Sequence, residues 1–289
     1  MKKRLLLASD FDGTVGVGAQ LDLDRAAVAR FRAQGHLFGL VSGRNAAGLK
    51  EMRKMSALPC DFLLSDNGSV CYLPMEKTPD FLEEKRLFPA ENDCINADFD
   101  GFSPGKLLFY EAGAEELFCP LADFLLERGS RMVAVNDQNG AELLFYRNDE
   151  GKVEVNIPEK EWVARPFSQM SGLFDSTKDA LAAAKEGQAR FPELVGLVSD
   201  CLDFLPKGRD KAVGVLQLAS LLGVEKEHIF ALGDNYNDLA MLTAFHGFAV
   251  ENAPKEVKLK AKEGEIPSLA CLIEKLLAGG FINNEGEHI

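Results

Sequence analysis

Leu5-Leu-Leu-Ala-Ser-Asp-Phe-Asp-Gly-Thr14 decides the fold. An apolar run over residues 5–8 stops at two carboxylates one residue apart, Asp10 and Asp12, with Gly13 and Thr14 behind them. A short apolar run bounded by a turn signal reads as a buried parallel strand. Open α/β sheets bind ligands beyond the carboxyl ends of their strands. The first strand therefore delivers two carboxylates to the place where such folds do chemistry. On its own, Asp-x-Asp-Gly is equally ordinary turn chemistry, with Asp capping its own backbone and Gly supplying positive φ. The rest of the chain decides between the two.

The same rhythm repeats downstream. After Thr14 comes Gly16-Val-Gly18, which lacks the third glycine of a dinucleotide fingerprint and is read with no helix opening on it. Asp24 reads as the N-cap of a helix that Gly35 ends. Residues 37–41 form a second strand ending in Ser42-Gly43-Arg44, and a helix follows over 46–55. Residues 62–64 form a third strand ending in Ser65-Asp-Asn-Gly-Ser69. Strand–helix alternation indicates a doubly wound parallel sheet, and right-handed crossovers put these strand ends on one edge.

Around Pro74 the rhythm breaks, with Pro79, Pro89 and an acidic stretch over 91–100. Strands predicted at 106–110, 131–135 and 142–146, with helices at 115–127 and 178–186, read as an inserted α+β unit. Residues 196–199 and 202–205 would close it, and Trp162 reads as a packing residue. The first rhythm resumes with a helix over 210–222 and a strand over 229–232 ending in Gly233-Asp-Asn-Tyr-Asn-Asp238. A further strand over 247–250 and a last helix over 268–277 precede a tail, 279–289, read as frayed. The expected division is a catalytic core over 1–84 and 200–289, with a cap over 85–199.

Composition narrows the partners. The 289 residues carry 32 basic and 45 acidic side chains, a net charge of −13. That argues against nucleic acid or an anionic membrane as main partner, because phosphate backbones demand a basic surface. A small anionic substrate needs only a local positive site. The start, Met1-Lys-Lys-Arg4, is read as leading into the first strand rather than as a signal peptide, its apolar run being too short. No stretch approaches the roughly 18 apolar residues of a membrane span. The six cysteines are scattered, with no C-x-x-C pair, and are expected to be reduced in a cytoplasmic protein.

Four strand ends thus carry polar groups: Asp10/Asp12, Ser42, Asn67 and Asp234/Asp238, with Lys211 opening the resumed helix. Carboxylates without a His or Cys cluster suit a hard cation, and Mg²⁺ binds through one or two carboxylates plus substrate phosphate. The chemistry suggested is phosphoryl transfer to a carboxylate nucleophile. Asp10 would attack phosphorus, and Asp12 would protonate the leaving oxygen and later deprotonate water. Ser42 and the following amides, from Gly43 on, would bind phosphate oxygens. Lys211 would neutralise charge. Asp234 would complete a metal site with Asp10 and the Asp12 backbone carbonyl, supported by Asp238 directly or through water.

Asp10-Phe-Asp-Gly-Thr14, Val41-Ser-Gly-Arg44, Pro206-Lys-Gly-Arg-Asp-Lys211 and Gly233-Asp-Asn-Tyr-Asn-Asp238 resemble, in order, the four motifs of the haloacid dehalogenase-like (HAD) phosphohydrolases. Asp66-Asn-Gly68 and Val250-Glu-Asn-Ala253 resemble the Cof-type, class IIB subgroup, which includes many sugar-phosphate phosphatases. The resemblance implies a Rossmann-like core and, from the insertion after residue 69, a C2-type cap acting as lid. It implies Lys211 rather than Lys207 as the third-motif lysine, and Arg44 and Asn67 as residues that shape the site and touch substrate phosphate. Asp210 and Ala212 stand where the family has Ser and Gly. The activity implied is a Mg²⁺-dependent phosphatase on a small phosphorylated metabolite. The alternatives are a phosphomutase using the same aspartyl-phosphate and a catalytically silent metabolite-binding protein.

Overall fold

The computed structural model describes residues 3–74, 105–137, 142–147, 153–155, 164–199 and 201–279. The chain opens with β1 (Leu6–Ser9), α1 (Ala19–Ala33), β2 (Leu37–Val41), α2 (Ala46–Ser56) and β3 (Phe62–Ser65). A tight bend at Asp66–Gly68 leads into β4 (Val70–Pro74), and β5 (Gly105–Tyr110) lies beside β4. Then come α3 (Phe118–Glu127), β6 (Met132–Asp137), β7 (Glu142–Arg147), β8 (Val153–Val155), β9 (Phe167–Leu173), α4 (Thr177–Arg190), β10 (Leu194–Val198) and β11 (Leu202–Pro206). The chain continues with α5 (Lys211–Leu221), β12 (Ile229–Gly233), α6 (Leu239–Ala244), β13 (His246–Val250), α7 (Lys255–Lys260), β14 (Gly264–Ile266) and α8 (Leu269–Leu277).

The strands form two sheets. One runs β14-β13-β12-β1-β2-β3-β4-β5, parallel from β14 to β3 and antiparallel thereafter. The other, β10-β11-β9-β6-β7-β8, is antiparallel throughout. This is the expected α/β core with a separate cap.

The apolar run of β1 is continuous because both its faces are covered. Leu5 and Leu7 pack with Val28 and Phe31 of α1, Leu49 of α2 and Leu272 and Ile273 of α8. Leu6 and Ala8 pack on the other side with Val215 and Leu218 of α5, Met241 of α6 and Val257 of α7. Each fully buried Leu contributes about 1.5–3 kcal/mol. The cap has its own core around Phe118, Phe124, Phe167 and Phe204.

Several expectations shift. The boundaries at 84/85 and 199/200 do not coincide with the division of the sheets. β5 belongs to the core sheet: it pairs with β4, and Leu108 and Phe109 join the core cluster. β11 belongs to the cap sheet: it pairs with β9 and β10, and Phe204 joins the cap cluster. Asp24 caps nothing. Helix α1 starts at Ala19, directly on the Gly16–Gly18 loop, and Asp24 is buried inside it. Its carboxylate accepts from the Gly16 N–H at 2.9 Å, Gln20 Nε2 at 3.0 Å and the Ala270 N–H at 2.9 Å, tying that loop and the start of α8 to α1. Strand β14 was not foreseen; it fills the stretch after Gly264 as a short edge strand. The stretch over 91–100, Pro79, Pro89, Trp162 and the tail beyond Gly279 lie outside the described residues.

Candidate active site

β1, β2, β3 and β12 end on one edge of the core sheet. The Asp10 N–H continues the β1 ladder to Leu232 O at 2.8 Å, which fixes its side chain at the sheet's rim. Gly13 turns the chain with φ of 78°. A Cβ there would lie 2.3 Å from Asp234 Oδ2, so only glycine lets the first loop and the β12 loop meet this closely. Thr14 Oγ1 joins them, 3.2 Å from Asp10 Oδ2 and 3.1 Å from Asp234 Oδ1. Asn252 Nδ2 donates to Gly13 O at 2.7 Å from the loop after β13.

Lys211 opens α5, whose N-cap Asp210 accepts from the Val213 N–H at 2.8 Å. Its side chain has no exposure, and Nζ donates to Asp10 Oδ1 at 2.7 Å and Asp238 Oδ1 at 2.6 Å. Asp238 uses its other oxygen to close the β12 loop, accepting from the Asp234 N–H at 3.0 Å and the Asn235 N–H at 2.9 Å. Burial pushes the Asp10 carboxyl up to about 8, against the lowering pull of Lys211 and with Asp238 and Asp234 adding to the rise. Burial works to lower Lys211, but Asp10 and Asp238 outweigh it and hold the ammonium above the ordinary lysine value. Once Asp10 ionises, two buried carboxylates share one ammonium with Asp234 beside them, which leaves negative charge unbalanced.

That surplus suits a divalent cation. One carboxylate oxygen from each of Asp10, Asp234 and Asp238 lies within 4.8 Å of the others. The donor set is oxygen only, as a hard cation such as Mg²⁺ requires.

Above these groups lies a cavity of about 600 Å³. From the core it is lined by Asp10, Asp12, Gly13, Ser42, Gly43, Arg44, Asp234, Asn235 and Asn237, among others. Ser42 Oγ accepts from the Arg44 N–H at 3.1 Å. Asp12 and Arg44 form a two-pronged pair at the mouth, with Nε–Oδ2 at 2.6 Å and Nη2–Oδ1 at 2.9 Å, both side chains 47% exposed. From the cap come Met132, Ala134 and Asn136 of β6, Gln169, Ser171 and Leu173 of β9, and Ser199, Cys201 and Asp203. The spacing of two is the strand period: alternate residues face the core, while Val133, Val135 and Met170 face the cap interior.

Residues 7–266 match the profile of the family described as haloacid dehalogenase-like hydrolase. The chain belongs to that family. Among its relatives is the 5-amino-6-(5-phospho-D-ribitylamino)uracil phosphatase YwtE of Bacillus subtilis, 29% identical over 141 residues. That match takes in 42% of this chain and about half, 49%, of the relative's length. The fold matches BT1666 of Bacteroides thetaiotaomicron, a HAD-superfamily phosphatase, with TM-score 0.69, 21% identity and 96% of each chain covered. It also matches the HAD subclass IIB sugar phosphatase BT4131, with TM-score 0.68, 17% identity, 96% of this chain and 99% of that one covered. At these identities the two structures share the fold.

Within this HAD hydrolase, the residues singled out from the sequence gather at one place, with Asn67 set back from the cavity. Lys211, not the exposed Lys207, meets the carboxylates. Arg44 is engaged by Asp12, a pairing across 32 positions with no local signal. Asn67 does not line the cavity. It is fully buried, with Nδ2 donating to Gln169 Oε1 at 3.0 Å and Asp203 Oδ2 at 2.9 Å, so the expected contact with substrate phosphate is replaced by contacts to the cap. Thr14 and the cap wall were missed; the i, i+2 alternation of β6 and β9 was the signal that could have found the wall.

Proposed function

We propose that this HAD hydrolase is a Mg²⁺-dependent phosphatase, acting on a small phosphorylated metabolite of the sugar- or polyol-phosphate class through an aspartyl-phosphate. One observation carries the reading: Lys211 grips Asp10 and Asp238 at the floor of a cavity whose mouth holds Asp12. Asp10, Asp234 and Asp238 would hold the cation, which when bound supplies positive charge against the phosphoryl oxygens. Ser42 and the amides of the following turn orient the phosphate.

In the first step the Asp10 carboxylate forms a bond to phosphorus as the bond to the leaving oxygen breaks. Asp12 gives that oxygen its proton. In the second step water attacks phosphorus, Asp12 takes the water's proton, and the Asp10–phosphorus bond breaks. Lys211 balances the charge on Asp10 before and after each step. To do this Asp12 must exchange Arg44 for substrate and take up from solvent the proton it then donates; the proton taken from water in the second step replaces it. A half-exposed ion pair is worth about 0–1 kcal/mol, so the exchange costs little. The cap wall, with Asn136, Ser171, Ser199 and Asp203 beside Met132 and Leu173, offers hydrogen-bond partners for hydroxyl groups and an apolar floor for a carbon chain.

Among the described residues no helix is long and apolar enough to cross a membrane. Cys60 and Cys71 are buried thiols, as a reducing cytoplasmic setting allows. The test is phosphate release from sugar phosphates, polyol phosphates, phosphoglycolate and nucleotides, with Mg²⁺ or with chelator. Release dependent on Mg²⁺ is expected. Isomerisation of a sugar phosphate without phosphate release makes the protein a phosphomutase, and no release from any compound overturns the phosphatase reading.

A further inference from the structure

The turn Ser42-Gly43-Arg44 carries three consecutive carbonyls, and each has a donor. The Asn67 N–H donates to Ser42 O and the Asp66 N–H to Arg44 O, both at 2.9 Å. The middle carbonyl, Gly43 O, accepts from Gln169 Nε2 of the cap, also at 2.9 Å. In a trans peptide the N–H points opposite the preceding C=O. Holding the Gly43 carbonyl therefore fixes the direction of the Arg44 N–H, which points at Ser42 Oγ. Two of these carbonyls are held from within the core; the third is held only when the cap is in place.

Gln169 is 3% exposed, and its amide has one orientation that satisfies its neighbours. Gly43 O can only accept, so Nε2 must face it, and Oε1 is left to accept from Asn67 Nδ2. Asn67 Oδ1 in turn accepts from Asn237 Nδ2 at 3.2 Å. A directed chain results: Asn237 donates to Asn67, Asn67 to Gln169, Gln169 to Gly43. It runs from the β12 loop through the bend after β3 and the cap strand β9 into the turn after β2. Gly43 also sits tight on this chain, since a Cβ there would lie 3.2 Å from Asn67 Nδ2. Gln169 lines the cavity, but its other amide proton goes to Ser171 Oγ at 3.0 Å, leaving no donor for a leaving group.

We infer that Gln169 is a positioning residue for the phosphate-binding turn: the cap, through this one amide, sets the Gly43–Arg44 peptide instead of reading the leaving group. The inference rests on turn 42–44 being the phosphate site.

The test uses Gln169→Leu and Gln169→Glu. The Glu variant keeps an oxygen for Asn67 and loses the donors to Gly43 O and Ser171 Oγ. With Ser171→Ala, which removes only the second of these contacts, as its control, it decides the matter if the Leu variant fails to fold by circular dichroism. Inorganic phosphate binding, measured by calorimetry with Mg²⁺, is expected to weaken about threefold to tenfold, the worth of one hydrogen bond. The same factor is expected in kcat/KM for every phosphate monoester tested, whatever its leaving group. A loss that varies with the leaving group, or unchanged phosphate affinity, overturns the inference. Calorimetry needs no turnover. If the wild type binds phosphate but hydrolyses nothing, the phosphatase reading falls and the Gln169 comparison still decides this one; if it binds no phosphate, both fall.

Discussion

The floor and the roof of the cavity are built on opposite principles. The floor is ionisable groups packed together: Asp10, Lys211 and Asp238 lie within 2.7 Å contacts, with only Asp10 reaching the cavity. The roof is largely neutral: Asn136 and Gln169 reach down as amides, Asn136 Nδ2 donating to Asp66 Oδ1 at 2.5 Å and Gln169 to a backbone carbonyl. A buried ion cluster is costly if any member is lost, because an unpaired charge stays behind. A neutral hydrogen bond lost from a roof costs far less. The floor therefore tolerates almost no change, while the roof, Gln169 apart, can be re-cut without touching the groups below.

The sharpest way to break this contrast is at the floor. Asp10→Asn is expected to lower turnover by roughly 10⁵-fold or more, as loss of a nucleophile does, with an unchanged circular dichroism spectrum. Retained turnover would remove Asp10 as nucleophile. Next comes Asp12→Ala, at the mouth, for which rates should fall about 10²–10⁴-fold through lost acid–base catalysis. Burst kinetics with a substrate carrying a good leaving group separate its two jobs, because only the second step should stay slow; if metal affinity alone changed, the acid–base role would be wrong.

Lys211→Met leaves two carboxylates facing each other without their ammonium. Stability without metal should drop by about 3–5 kcal/mol, and Mg²⁺ should restore part of it by supplying the missing charge. Denaturant midpoints with and without Mg²⁺ read both; a variant as stable as the wild type in chelator means Asp10 and Asp238 do not depend on the ammonium.

The pH dependence is the finest probe. Asp10 keeps its proton in the metal-free fold up to about 8, while the unfolded chain loses it in the ordinary carboxylate range. Between those limits the native state binds more protons, so metal-free stability falls as pH rises. Binding of a cation requires the ionised carboxylate and releases the proton. Melting temperatures should therefore decline with pH across this window in chelator and flatten or rise in Mg²⁺, with Mg²⁺ affinity increasing up to about pH 8. Parallel curves under the two conditions would detach Asp10 from the metal site.

The same contrast explains what could be read from residues alone. The floor was legible because each of its groups stands at a strand end or helix start, where pattern and position coincide: Asp10 after β1, Ser42 after β2, Asp234 after β12, Lys211 at the head of α5. The roof was not legible, because β6 and β9 present polar residues on one face with no punctuation to mark which face meets the core. Pairings across long separations escaped for the same reason. Asp12 with Arg44, and Asn67 with Gln169, join residues that nothing local connects. Asp24 misled because a helix cap and a buried acid that ties a loop down use the same residue near the same helix. β14 escaped because three residues are too few to show alternation.

Strand β11 ends at Pro206 and α5 begins at Lys211, so the return path from cap to core is four residues long, 207–210. Four residues reach at most about 14 Å when fully drawn out. The ammonium that grips Asp10 is thus moored on a short leash to the roof above it. One of the chain's ties between cap and core and the helix start that carries that charge are, in this molecule, the same short stretch.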